Sequence, residues 1–165
     1  MADLTGNPWN FVSSDQATST AITSIVRNGQ GSALITVAST AGIAVDSYIS
    51  VQGTTVTGWR GGYRVLMVPS ATTLLVGITP QQSTLANNGA NGNVLTAAYM
   101  QNIEVTQMIW DGATTGTLLV TDLSGTTVWN PASPAFSGTL TYMKAFPVAG
   151  LVINTLSAGT LQISV

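Results

Sequence analysis

Cysteine and histidine are both missing from this chain of 165 residues. Without cysteine there is neither a disulfide framework nor a thiolate metal site, and the redox compartment stays open. Without histidine the chain lacks the usual general base near neutral pH and the commonest metal ligand. The ordinary nucleophilic triads cannot be assembled, and zinc is disfavoured. We therefore expect no catalytic residue, no cofactor and no metal.

Charged side chains are the second scarcity. Six acidic and four basic residues make up 6% of the chain, whereas an average soluble domain has about 25%. A free monomer normally stays soluble through interspersed charges, but here Ser, Thr, Asn, Gln and Gly must serve instead. Such a surface loses little on desolvation, so it favours a subunit that is buried in a larger assembly. The alternative is a secreted monomer with a Thr/Ser-rich β surface.

The four basic residues are too few for a broad phosphate-binding surface, so nucleic acid is not an expected partner. The N-terminal stretch MADLTGNPWNFVSSDQ lacks the basic and apolar regions of a secretory signal. No apolar run approaches the roughly 18 to 20 residues of a membrane-spanning helix. We expect a protein that is made in the cytoplasm, has no membrane or small-molecule partner, and stays soluble or joins a particle.

Carboxylates are the remaining acid–base groups. Asp111 and Asp122 flank a predicted hairpin and could approach each other as a glycosidase pair does. Each also lies near a turn glycine, Gly112 or Gly125, where aspartate commonly caps backbone groups. No DxDxDG-like calcium loop occurs. The structural role is favoured, and we predict that the protein is not an enzyme.

Apolar–polar alternation between turn signals predicts an all-β protein. Beyond Gln101, Ile103 and Val105 are expected to share a face with Gln107 and Ile109, and the chain ends in a strand that contains Leu161 and Ile163. Residues 99–165 are therefore predicted to form an antiparallel, jelly-roll-like β-sandwich. Residues 21–80 contain four to five short strands, which predict a small β-barrel-like module.

Two segments lack such periodicity. Residues 1–20 are predicted to be an extended N-terminal arm. Residues 81–98, QQSTLANNGANGNVLTAA, are uncharged and rich in Asn-Gly, which predicts a linker between the two modules. The alternative is a long hairpin loop inside one continuous sandwich.

Aromatic side chains in polar surroundings are candidates for contact with a neighbouring subunit. Trp9 and Phe11 lie in the predicted arm, where they either pack onto the chain's own sheet or cross onto a neighbour. Phe136, Tyr142 and Phe146 surround a proline-containing loop. From this spacing we predict an exposed apolar patch at a subunit contact.

The segment WRGGY places Trp59 and Tyr63 around Arg60. One interpretation is a binding loop, in which the rings stack on a sugar or Arg60 pairs with an acidic neighbour. The other interpretation is a β-bulge or wide turn whose tryptophan covers one end of the barrel. Both interpretations stay open at the level of sequence. Together with the N-terminal arm, this loop is the part of the chain that we predict to contact a neighbouring subunit, through Trp59, Arg60 and Tyr63.

Two blocks of sequence resemble proteins of tailed-phage particles. The pattern ITVASTAGIAVDSYISVQGTTVTGWRGGYRVLMVPSATTLLVGI resembles small β-barrel modules of tail and baseplate proteins, which are structural inserts without chemistry. The strands IEVTQMIWDGATTG, LLVTDLSGTTVWN and VAGLVINTLSAGTLQISV are similar to small all-β virion proteins, including head decoration (cement) proteins and the bases of head or tail fibres. In those proteins the block is a sandwich that binds its own copies and the capsid lattice.

The resemblance implies a structural protein of a phage virion. The preferred role is a decoration or cement protein on the capsid surface that bridges subunits of the major capsid protein. Its expected partners are that protein and its own copies, as a homotrimer. The alternative is a tail, baseplate, neck or fibre component that binds a glycan receptor.

Overall fold

The computed structural model describes residues 7–29, 31–86, 92–96, 99–111, 116–131 and 138–165. The protein is all-β, as predicted, and helical structure in these ranges is limited to three short 3₁₀ turns, Ser13–Asp15, Thr57–Trp59 and Gln82–Thr84. The strands are β1 Trp9–Val12, β2 Ser19–Arg27, β3 Ser32–Val37, β4 Tyr48–Gln52, β5 Gly61–Ser70, β6 Thr73–Gly77, β7 Asn93–Thr96, β8 Tyr99–Asp111, β9 Leu118–Thr121, β10 Thr127–Trp129, β11 Gly138–Leu156 and β12 Thr160–Ser164.

Contacts divide the chain into two compact units. The barrel unit comprises Thr18–Ala97 together with Leu123–Gly125, and the sheet unit comprises Met1–Ala17, Ala98–Asp122 and Thr126–Val165. The barrel unit includes the predicted module 21–80, and the sheet unit includes most of the predicted module 99–165. Neither the predicted arm nor the predicted linker is a unit of its own.

A closed antiparallel barrel forms the first unit. Its strands follow the order β2-β3-β6-β5-β4-β7, and β7 pairs with β2 to complete the ring. Every strand contributes apolar side chains to the interior, which they fill. The largest fully buried side chains of this core are those of Ile25, Ile35, Ile49, Trp59 and Leu74.

The sixth strand lies where the sequence predicted a linker. β7 pairs on one side with Ser19–Ala21 and on the other side with Ile49–Gln52. Val94 is completely buried and belongs to the barrel core. The segment is therefore part of the barrel, because without it β2 and β4 would each present an unpaired edge.

Gly92 immediately precedes β7, at a point where the chain passes close to the backbone of Gln52 and Thr54. Its φ of 92° lies in the left-handed region. A Cβ at this position would stand 2.4 Å from the carbonyl oxygen of Gln52 and 2.8 Å from the backbone nitrogen of Thr54. Both the conformation and the close backbone approach require glycine.

The second unit is a six-stranded antiparallel sheet in the order β1-β12-β8-β11-β9-β10. The long strand β11 pairs with β8 from Gly138 to Leu151, and with β9 from Val152 to Leu156. Side chains from β1, β8, β9, β11 and β12 share one apolar core. The predicted terminal strand is confirmed as β12, with Leu161 and Ile163 fully buried.

The described part of the predicted arm, residues 7–17, belongs to this sheet unit, whereas residues 18–20 belong to the barrel unit. β1 pairs with β12, and the Asn7 side chain exchanges two hydrogen bonds with the backbone of Val165. Trp9 is 5% exposed and Phe11 is 0% exposed, both inside the core of the sheet unit. The first alternative, packing onto the chain's own sheet, is therefore the one found, because these rings complete a core that β12 alone leaves open.

One predicted strand face differs from the structure. Ile103 and Val105 point into the core as expected, but the buried residues that follow on β8 are Met108 and Trp110 rather than Gln107 and Ile109. The inward phase of β8 changes between Val105 and Met108, in the same place where the register of β8 against β11 shifts. Regular alternation of side chains is interrupted at this irregularity, so the buried residues beyond it are the even-numbered ones.

Phe11→Ala and Val12→Ala test whether β1 is part of the folded core. Phe11 is fully buried and Val12 is 45% exposed on the same strand. We expect Phe11→Ala to lower the free energy of unfolding by about 3–5 kcal/mol, and Val12→Ala to change it by less than about 0.5 kcal/mol. Urea titration followed by tryptophan fluorescence measures both. Equal, small losses would show that the segment is not packed into the core.

Gly92→Ala and Gly31→Ala test whether the close backbone approach at the start of β7 requires glycine. A Cβ at Gly31 meets no atom within 4 Å, in contrast to Gly92. We expect Gly92→Ala to lose at least about 2 kcal/mol of unfolding free energy, because backbone must move and the left-handed conformation is strained. Gly31→Ala should stay within about 1 kcal/mol of the wild type. Thermal unfolding gives the comparison, and an unaffected Gly92→Ala variant would contradict the described closure.

Candidate interaction surfaces

The segment around Trp59 is built into the barrel unit. Thr57–Trp59 forms a 3₁₀ turn, and the Trp59 ring is 1% exposed within the barrel core. Its Nε1–H donates to the carbonyl oxygen of Ala86 at 2.8 Å. Gly58 lies against the Leu85 side chain. A Cβ at position 58 would stand 2.7 Å from Cδ1 of Leu85. A ring held in this way is not available for stacking on a sugar.

Tyr63 forms hydrogen bonds to two short 3₁₀ turns. Its phenol donates to the carbonyl oxygen of Trp59 at 2.8 Å and accepts a hydrogen bond from Nε2 of Gln82 at 2.6 Å. The tyrosine ring is 3% exposed, and this burial raises the pKa of Tyr63 well above its ordinary value. The phenol is therefore a neutral structural group.

Arg60 is exposed, but its guanidinium is already bonded to the chain. Nε and Nη2 both donate to the carbonyl oxygen of Thr54, at 3.1 Å and 2.8 Å. The polar atoms of Trp59, Arg60 and Tyr63 are thus bonded to groups of their own unit. The 3₁₀ turn fits the second interpretation of WRGGY, a wide turn, with Trp59 inside the barrel core. The predicted contact of these three residues with a neighbouring subunit stays a prediction.

The remaining predicted aromatic patch lies mostly outside the described residues. Phe136 is not among them, and the side chains of Tyr142 and Phe146 are not described. The backbones of Tyr142 and Phe146 belong to β11, where Phe146 lies opposite Val105 of β8. The predicted subunit contact at these residues stays a prediction.

An apolar row that the sequence analysis missed crosses the outside of the barrel. Val26 of β2 lies opposite Leu34 of β3, Leu34 lies opposite Leu75 of β6, and Leu75 lies opposite Met67 of β5. Leu66 is the unpaired residue of a β-bulge next to Met67, and it packs over Gly77. We call these five side chains the outer row: Val26, Leu34, Leu66, Met67 and Leu75.

The outer row is open to solvent at three of its members. Val26, Leu66 and Met67 are 42%, 41% and 52% exposed, while Leu34 and Leu75, which lie between Val26 and Met67 in the row, are half-buried. A signal for this row exists in the sequence, because each of the four strands contains adjacent apolar residues. Only one residue of such a pair can face the barrel core, so its neighbour must face outward.

Three acidic residues of the described chain, Asp15, Asp46 and Asp122, have structural partners. Asp122 Oδ1 accepts the backbone N–H of Thr126 at 2.9 Å, which caps the turn between β9 and β10. Asp111 ends β8 opposite Thr160. Across the described ranges no group of three or more His, Cys, Asp or Glu side chains could hold a metal ion. The favoured structural role of Asp122 agrees with this hydrogen bond.

No protein-family model, curated protein or solved structure matches this chain. In the part of the chain that the structure describes, no helix has the length and hydropathy needed to cross a membrane. The function is therefore inferred from the surfaces above and from the resemblance carried by the sequence.

Tyr63→Phe and Tyr48→Phe test the buried phenol. Removing the Tyr63 hydroxyl leaves the Trp59 carbonyl and the Gln82 amide without that partner, whereas Tyr48 is 46% exposed. We expect Tyr63→Phe to cost about 1–3 kcal/mol of unfolding free energy, and Tyr48→Phe to cost less than about 0.5 kcal/mol. Chemical denaturation at pH 7 measures the two losses.

The raised pKa of Tyr63 also predicts that the stability difference between the wild type and Tyr63→Phe depends on pH. The unfolded chain ionises Tyr63 near pH 10, but the folded chain holds the proton to higher pH because its pKa is raised. The stabilising contribution of the neutral phenol is therefore complete below about pH 10 and decreases as the pH rises above it. The difference in stability between wild type and Tyr63→Phe should narrow there. A constant difference up to pH 11 would contradict the burial of Tyr63.

Proposed function

We propose that this chain is a structural protein of a tailed-phage virion, namely a head decoration (cement) protein that bridges subunits of the major capsid protein. The observation that carries the proposal is an uncharged apolar row on the outside of a closed barrel, in a chain with only 6% charged residues. Such a surface gains from burial and loses little by desolvation when it meets another protein.

The groups that first suggested ligand binding also support a structural role. Trp59, Arg60 and Tyr63 direct their polar atoms to the backbone and to Gln82 of the same unit. Asp122 caps a turn. These residues give the barrel a defined surface, which a protein that acts by docking requires.

The sandwich architecture of residues 99–165 is part of the proposal. Its support comes from β11, which changes partner from β8 to β9 after Leu151, next to Gly150 with a φ of 72°. Strands that pass from one sheet to another do so at bends of this kind. A shared core between β8, β9 and β12 fits two layers of a jelly-roll-like sandwich.

The proposed partners are the major capsid protein and other copies of this chain. A stable isolated contact buries about 1,000 Å² or more, but a decoration protein repeats a modest contact across a whole lattice, and the copies reinforce one another. A homotrimer around a local axis of the capsid surface would gain affinity for the capsid through such repeated contacts. The site of action is the exterior of the virion head, after synthesis in the host cytoplasm.

The second candidate is a tail, baseplate, neck or fibre component. The closed barrel of Thr18–Ala97 favours it, because the resemblance of this block is to modules of tail and baseplate proteins. A glycan-binding form of this role would need other residues than Trp59 and Tyr63, since both rings are buried.

Virions of the phage that encodes the chain provide the test. We expect quantitative mass spectrometry of purified particles to find hundreds of copies per virion, and particles made without the chain to lose their DNA at lower temperature. Added purified chain should restore the heat resistance, because bridging contacts stabilise the shell. A handful of copies, or about a dozen, would support the tail or neck role instead. Absence from the particle would contradict both candidates.

A further inference from the structure

An exposed aromatic ring lies beside an exposed ion pair on the outside of the barrel. Tyr48 of β4 is directly opposite Arg64 of β5. Both side chains face outward, because the residues that follow them, Ile49 and Val65, are fully buried in the core. Arg64 Nη2 donates to Oδ1 of Asp46 at 2.8 Å, and these two side chains are 56% and 67% exposed. We call Asp46, Tyr48 and Arg64 the Tyr48 cluster.

The backbone of Asp46 has a conformation that is rare for a residue with a side chain. Its φ of 66° lies in the left-handed region, and every other described residue with a positive φ is a glycine. Glycine would adopt this conformation without strain, so an aspartate there indicates a use for its carboxylate. The use is not to hold the loop. The Asp46 N–H donates to the carbonyl oxygen of Val65 at 2.8 Å, and the Val65 N–H donates to that of Ser47 at 2.9 Å.

The ion pair also contributes little to the stability of the barrel. Water and salt screen an exposed pair, and holding two long side chains together costs entropy. Several polar atoms of the cluster have no hydrogen-bond partner among the described residues, namely Oδ2 of Asp46, Nε and Nη1 of Arg64, and the hydroxyl of Tyr48. Donors and acceptors are therefore available to a ligand next to an aromatic face.

We propose that the Tyr48 cluster is a binding site for a neutral carbohydrate, which it contacts through one sugar ring. The face of Tyr48 suits the C–H groups of a pyranose. Each sugar hydroxyl both donates and accepts, so neighbouring hydroxyls can donate to Asp46 and accept from Arg64. The inference goes beyond the structural role proposed above, and it gives the chain a glycan-binding surface that the buried rings of Trp59 and Tyr63 do not offer.

The charges of the cluster favour a neutral ligand over an anion. The carboxylate of Asp46 offsets the charge of the Arg64 guanidinium at a distance of 2.8 Å. A phosphate or sulfate would have to compete with this carboxylate and would be repelled by it. A neutral ligand with several hydroxyl groups can use both charged groups at once.

The exposure of the cluster predicts weak binding. Deep pockets bury most of a ligand, whereas this surface covers one side of a sugar ring. We expect a Kd on the order of 1 mM for a single sugar. Several copies on one particle would bind a glycan-covered surface more tightly, because their contacts reinforce one another.

Saturation-transfer difference NMR of the purified full chain tests the proposal. The probes are the methyl glycosides of glucose, galactose, mannose and N-acetylglucosamine, each at about 10 mM, roughly tenfold above the expected Kd. We expect at least one probe to bind, with an affinity that does not depend on salt. Tyr48→Ala should lower its affinity at least about tenfold by removing the ring, and Arg64→Gln at least about threefold by removing a charged donor.

Two variants outside the cluster are the controls. Val26→Ala truncates an apolar side chain on β2 that is 42% exposed, close to the 46% of Tyr48. Glu104→Gln removes the charge of an exposed carboxylate on β8. Both should bind the sugar as the wild type does. If circular dichroism shows that Tyr48→Ala is unfolded, Tyr48→Leu replaces it, with the same expected direction.

Asp46→Asn separates a sugar site from an anion site. Asparagine tolerates the left-handed backbone and removes the charge. The affinity for the sugar should fall at least about threefold, because a hydroxyl loses a charged acceptor. The affinity for inorganic phosphate should rise, because Arg64 is released from its partner. Sugar binding that this variant leaves unchanged or strengthens would overturn the proposal, as would equal losses in the two controls.

The outcomes for this inference and for the proposed function can be told apart. If none of the four glycosides binds, the carbohydrate site is rejected, even if virions carry hundreds of copies of the chain. Sugar binding that depends on the Tyr48 cluster, in a chain that is absent from virions, retains the site and rejects the virion role.

Discussion

Closure of the barrel by β7 is the constraint on which the first unit depends. Asn93–Thr96 pairs with β2 on one side and with β4 on the other. Without these hydrogen bonds two strands would expose unpaired N–H and C=O groups, and this chain has few charged side chains with which to protect an edge. Gly92 makes the closure possible, since any side chain there would collide with the backbone of Gln52 and Thr54.

The sequence predicted the strands whose alternation is regular. Tyr63 and Val65, Leu74 and Val76, and the terminal strand are buried as their patterns indicate. It missed β7, because the strand is four residues long, lies beside Asn-Gly pairs, and has adjacent Val and Leu instead of alternation. It left the position of β1 open, because its partner β12 lies about 150 residues away. An irregularity such as that between Val105 and Met108 has no local signal, so the faces of β8 could not be assigned fully.

The candidate site illustrates the limit of reasoning from residue type. Tryptophan, arginine and tyrosine within five residues are typical of binding loops, and they are equally suited to a compact turn that satisfies its own polar atoms. The difference lies in distant partners. Ala86 accepts from Trp59, and Gln82 donates to Tyr63, and neither partner is marked by the WRGGY segment itself. The outer row was predictable in principle, since paired apolar residues in β2, β3, β5 and β6 cannot all face inward.

Scarcity of charge limits how this protein can protect the edges of its sheets. A β protein must either close its sheets, shorten their edges or guard them with charge, and this chain closes one sheet and shortens the edges of the other. Both devices protect strand edges without charge, and strand addition, which has no natural end, is thereby disfavoured. In the proposed virion role, a contact of modest size would be reversible between two proteins but stable when a lattice holds many of them. A surface that is neutral and poor in charge would fit that role, because burying it costs little desolvation.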